Sequence, residues 1–105
     1  MRLTILNPEF LGVGGSGIYD GRTGKPVPRR DGVGLSFDCP CGCGVRGYIP
    51  FKNPLDGGAA FDSKGWDRTG DTFDTITLRP SIHRPKEYGG CGWHGYITNG
   101  EVSSV

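Results

Sequence analysis

With 105 residues, of which Leu, Ile, Val and Phe make up 23 and Gly and Pro 28, the chain has room for one domain, 1–105. It carries too little apolar mass for a helical bundle or a self-sufficient core, and a domain this thin calls for a staple such as a metal or disulfides. Twelve basic and eleven acidic residues leave a net charge of +1, which gives no strong footprint for nucleic acid or anionic membrane.

No stretch approaches the ~20 apolar residues of a membrane span, and the opening MRLTILNPEF has too short an apolar run for a signal peptide. The expected compartment is a reducing cytoplasm, where four cysteines read as ligands rather than disulfides.

Helical periodicity is absent, because no sufficiently long apolar pattern escapes interruption by Gly or Pro. Strand patterns are short and repeated. Leu3 and Ile5 alternate with Arg2 and Thr4. Gly12 to Gly24 holds six glycines but neither GxxxxGKS nor GxxxxGKT, and no helix follows it, so it reads as a flexible or hairpin loop and not a phosphate cradle. The basic knot Lys25 to Arg30 (KPVPRR) reads as solvated loop. Leu35, Phe37 and Cys39 share one face of a strand, with Ser36 and Asp38 on the other. Val45 to Phe51 forms a third strand, its Pro50 marking an edge or bulge. Asn53 to Gly70 is a second Gly-rich loop, where Trp66 is either a lid on the core or a recognition contact. Thr72 to Leu78 is the clearest β-run, with Ile76 and Leu78 inward. Trp93 to Thr98 and Glu101 to Val105 form a hairpin across Asn99-Gly100, a pair suited to the type I′ turn. The predicted fold is all-β: a small barrel or two-sheet sandwich of short strands, with two metal-binding loops in a zinc-ribbon-like or Rieske-like arrangement.

The chemistry concentrates in Cys39-Pro40-Cys41-Gly42-Cys43-Gly44 and Cys91-Gly92-Trp93-His94-Gly95, which hold all four cysteines and one of the two histidines. A tetrahedral metal takes four N or S ligands at ~2.0–2.3 Å, and two tight turns supply them. Along a straight strand Cys39, Cys41 and Cys43 would lie about 6.6 Å apart at each step of two residues, so this segment must turn. There are five candidate ligands for four places. Cys39, Cys41, Cys91 and His94 are the expected set, with Cys43 as substitute. Trp93 is expected to shield the metal from water. Zinc is the leading cofactor, and a [2Fe–2S] cluster is the alternative. His83 is expected in an exposed loop or as a substrate or alternative metal contact. Asp67, Asp71 and Asp74 read as solvated. Neither a Ser-His-Asp order nor an HExxH helix appears.

Two resemblances add to this reading. Cys91-Gly92-Trp93-His94-Gly95-Tyr96, followed by Asn99-Gly100, is similar to the second cluster-binding box of Rieske proteins. Their first box is C-x-H, and Cys39-Pro40-Cys41 has a thiol where that histidine stands. Across about residues 35 to 102, Phe37-Asp38-CPCGCG, Thr77-Leu78-Arg79-Pro80-Ser81-Ile82 and CGWHGYITNG together resemble an uncharacterised family of small phage and bacterial metal-binding proteins. Some of its members sit in bacterial operons for ubiquitin-like conjugation. This resemblance implies metal binding and a phage or prophage source, hence the host cytoplasm.

A site filled by four protein ligands has no open position for water and serves structure. The expected function is therefore that of a non-enzymatic, zinc-binding phage or bacterial accessory protein that binds a macromolecule, with an unknown protein as partner. A Rieske-like electron-transfer protein is the first alternative. A metal-dependent hydrolase or transferase is the second.

Overall fold

The computed structural model describes residues 1–60, 62 and 64–105; two positions of the second Gly-rich loop, 61 and 63, lie outside it. Among the described residues seven strands form two antiparallel sheets, and there is no α-helix. The first sheet has the order β1 (Glu9–Val13), β2 (Arg30–Asp38), β3 (Arg46–Pro50). The second has the order β4 (Asp67–Thr69), β5 (Thr77–His83), β6 (His94–Thr98), β7 (Glu101–Ser104). The fold is all-β, as expected. Of the two architectures expected, the closed barrel is excluded, because β1 and β7 stay outer strands of separate sheets among the described residues.

Where β3 ends the chain crosses between sheets. Phe51 forms a parallel bridge with Trp66. Lys52 N donates to Trp66 O at 2.9 Å, and Trp66 N to Pro50 O at 2.8 Å. The core lies between the sheets. Leu35 and Phe37 from the first, with Phe51 just beyond β3, meet Leu78 and Ile97 from the second, with Ile76 just before β5, all fully buried. Cys39 and Trp93 belong to the same cluster, which ties the thiol loops to the core. The expected face of β2 is present: Leu35, Phe37 and Cys39 are all buried. The Asn99-Gly100 hairpin is also present. Thr98 pairs with Glu101, and both turn residues have positive φ (47° and 70°), which the I′ turn requires.

Two stretches depart from the expected pattern. Leu3–Leu6 is a 3₁₀ turn, not a strand. With three residues per turn, Leu3 and Leu6 fall on one face, and both are buried while Ile5 is exposed. Strand alternation would have put those two leucines on opposite faces. Thr72–Thr75 is likewise a turn. Ile76 N donates to Thr72 O at 2.9 Å, and the Thr72 and Thr75 hydroxyls bond each other at 2.8 Å. Threonine hydroxyls that bond locally compete with ladder formation, so β5 begins only at Thr77. It then continues through Pro80 to His83, further than the β-run in the sequence suggested.

Candidate functional site

Cys39 follows directly on β2, and the chain coils before β3 begins. Cys39 N donates to Val45 O (3.0 Å), and Gly42 N to Cys39 O (3.1 Å). Gly42 and Gly44 both take φ 81°, a left-handed conformation open to glycine at little cost. This coil is the turn that the C-x-C-x-C spacing demands. Cys91 arrives from the opposite sheet, on the connection between β5 and β6. That connection is closed by two bonds, Arg84 N to Trp93 O (2.9 Å) and Gly92 N to Arg84 O (2.7 Å). The sulfurs of Cys39, Cys41, Cys43 and Cys91 all lie within 4.8 Å of one another. Cys39 Sγ is 3.2 Å from Cys41 Sγ and 3.4 Å from Cys91 Sγ, and all four thiols are free. Burial pushes the Cys39 thiol up, whereas the Trp93 backbone N–H pulls Cys91 down to about 7. Four sulfurs this close can hold a metal ion. Their spacing suits a tetrahedron with ~2.3 Å metal–sulfur bonds.

Of the five candidate ligands, the group that gathers is the four cysteines; His94 is turned elsewhere. Its Nε2 lies 2.8 Å from Ser81 Oγ. The ladder explains why these residues meet. His83 on β5 faces His94 on β6, and the neighbouring Arg84–Trp93 pair is hydrogen-bonded. In the alternation of an antiparallel ladder, His83 and His94 therefore occupy a non-hydrogen-bonded position, where facing residues approach most closely. Their rings pack with centroids 4.7 Å apart, tilted by 33°. His83 thus sits on a strand, exposed, and not in a loop. A hydroxyl, the imidazole it touches and a second imidazole behind that one make a set suited to nucleophilic chemistry.

Ser81 is a candidate site residue that the sequence did not single out. Its signal was a β5 strand continuing past Pro80, which would have set His83 against His94 and Ser81 beside them. The other residues singled out fall into place around this site. Trp66 is half-buried against the core, and its indole Nε1 donates to Ser81 O at 3.3 Å. Trp93 is buried, and its Nε1 donates to Ser104 Oγ at 3.0 Å. Asp67, Asp71 and Asp74 are exposed, with Asp74 paired to Arg2.

Arg84 presents a different feature. Its guanidinium lies 5.5 Å above the Phe37 ring, and both terminal nitrogens are buried without a hydrogen-bond partner among the described residues.

A family model described as bacterial ubiquitination-like system serine protease (BubE) matches residues 21–105. No curated protein and no solved structure matches the chain.

Proposed function

The chain belongs to the BubE family of bacterial ubiquitination-like system serine proteases, and from that membership we propose that it hydrolyses a peptide or related acyl bond in a protein of such a system. Ser81 is the nucleophile and His94 the general base. The observation that carries this reading is the 2.8 Å contact between Ser81 Oγ and His94 Nε2. With the ring proton on Nδ1, Nε2 accepts the hydroxyl proton as Oγ attacks the scissile carbonyl. The same imidazolium then gives that proton to the leaving amine. Water, activated by the imidazole in turn, attacks the acyl-serine, releases the carboxylate product and restores the hydroxyl. His83, packed on His94, holds the ring in place for both transfers.

The four thiols support a second, structural element of the reading, a zinc site that pins the β5–β6 connection to the end of β2. Four thiolates form the closed set of a structural zinc site, which holds loops together and activates no water. A Rieske centre needs two imidazoles on one iron, and His94 is bonded to Ser81. A divalent ion on four thiolates leaves two negative charges. Arg84, whose guanidinium donors are unpartnered among the described residues, stands on the connection that carries Cys91 and brings a positive charge to that connection. Thiolate ligation also favours a reducing cytoplasm.

A fluorophosphonate probe tests the catalytic assignment. The expected result is one covalent adduct on Ser81 by intact-mass and peptide analysis. Ser81→Ala should carry none and should lose more than about a thousandfold in kcat, with its metal content unchanged. A non-enzymatic binding protein, the alternative that leaves the Ser81–His94 contact unused, would show no adduct.

A further inference from the structure

Ser81 sits where β5 and β6 fall out of register. Leu78 pairs with Ile97 and Ile82 with Gly95, so β5 carries two more residues than β6 between these points. The excess must bulge, and a bulge leaves main-chain groups without ladder partners. Pro80 adds to the deficit because it has no N–H to donate.

The side chain of Arg79 closes that gap. Its Nη1 donates to Leu78 O at 2.8 Å and to Ile97 O at 3.1 Å, and its Nη2 to Thr98 Oγ1 at 2.8 Å. The guanidinium also lies 5.3 Å over the Tyr96 ring. One side chain thus bonds both strands at the slip and braces itself on β6, two residues before Ser81.

We propose that Arg79 is a positioning residue for the nucleophile. It holds the two extra residues of β5 in the arrangement that sets Ser81 Oγ against His94 Nε2, and it takes no part in proton transfer. This inference rests on the assignment of Ser81 as nucleophile. A planar fork with several fixed donors fits the task, because it reaches two carbonyls and a hydroxyl together, whereas an ammonium acts as a point charge. The expected penalty for loosening it is large, since a displacement of about 1 Å of a reacting group costs on the order of a hundredfold.

The experiment uses the full metal-loaded chain, a fluorophosphonate probe and a peptide substrate. Arg79→Ala is expected to slow Ser81 labelling and kcat by about a hundredfold, with KM changed by less than about twofold, the pattern of an interaction that serves the transition state. Millimolar guanidinium ion should restore part of the loss, and sodium at equal ionic strength should not. Arg79→Lys, which keeps the charge without the fork, should lose about tenfold, and it decides the matter if Arg79→Ala does not fold. Labelling of the folded variants at the wild-type rate overturns the proposal. So does a loss that follows the unfolded fraction and is not restored by guanidinium. Absence of Ser81 labelling in the unaltered protein overturns the nucleophile assignment and this inference with it, a result distinct from a labelled wild type with an indifferent Arg79.

Discussion

His94 stands three residues from a thiol ligand candidate and touches a serine diagonally across the ladder, and its partner decides what the site can do. In the sequence, Cys91-x-x-His94 has the spacing of a two-ligand knuckle. In the structure the ring reaches Ser81, and Cys43 completes the sulfur group. The distinction is measurable. His94→Ala should abolish Ser81 labelling and leave about one metal equivalent per chain, whereas Cys91→Ser should lose metal and stability together. Elemental analysis of the two purified variants checks this. Ser81 was not legible because serine carries no distinctive spacing, and only the register of β5 on β6 gives it a partner. The cysteines were legible because their clustering survives ignorance of the fold. Away from the site, Asp56 receives Arg30 Nε at 2.7 Å and Nη2 at 3.0 Å, and this pairing holds its carboxyl down at about 2. The folded value lies below the ~3.9 of an unfolded Asp. The pair therefore stabilises the fold above about pH 4, and that contribution disappears as pH falls toward 2. Asp56→Asn should flatten the acid limb of the unfolding midpoint between those values, as followed by circular dichroism.

Among the elements, the β5–β6 connection links the two chemistries. It begins after His83, ends before His94 and carries Cys91 between them. Its base is closed by main-chain bonds at Arg84, Gly92 and Trp93, with two further bonds inside it from Gly89 and Gly90, and Cys91 and the buried Trp93 tie it to the core. Removing the metal with a chelator is expected to raise hydrogen exchange at the Arg84 and Gly92 amides before those of β7, and to slow Ser81 labelling. Exchange measured by mass spectrometry, with the chelated metal quantified, checks this. Legibility varied among the elements for physical reasons. The Asn99-Gly100 hairpin was readable because a two-residue I′ turn imposes strong residue preferences. β4, three residues long, and β1, with Gly12 near its end, carry too little pattern to stand out from loop. Leu3–Leu6 and Thr72–Thr75 misled because alternation and β-branched content suit a strand, while burial in one case and hydroxyl bonding in the other favour a turn.

For the molecule as a whole, the shortage of apolar residues is met by joining two small sheets at two places. One is the Phe51–Trp66 bridge, with its flanking bonds at Pro50 and Lys52. The other is the sulfur group, with three thiols from the first sheet's hairpin and one from the second sheet's. Phe51 is fully buried at the first junction, so Phe51→Ala should cost about 3–5 kcal/mol, read from denaturant unfolding of the metal-loaded protein. That is a large share of the 5–15 kcal/mol typical of a domain. The all-β class was legible at this scale because glycine, proline and short alternating runs exclude helices. The junctions were not, since each joins residues distant in sequence.

The facing of His83 and His94 at a single rung has a consequence for how the protein matures. Displacing β6 by one residue along β5 would send every side chain of that strand through to the opposite surface, delivering the imidazole inward and setting Trp93 or Gly95 opposite His83 in its place. A chain that closes its hairpin wrongly therefore loses the Ser81–His94 contact. Faithful alignment of two strands is thus the condition on which Ser81 and His94 come together at all.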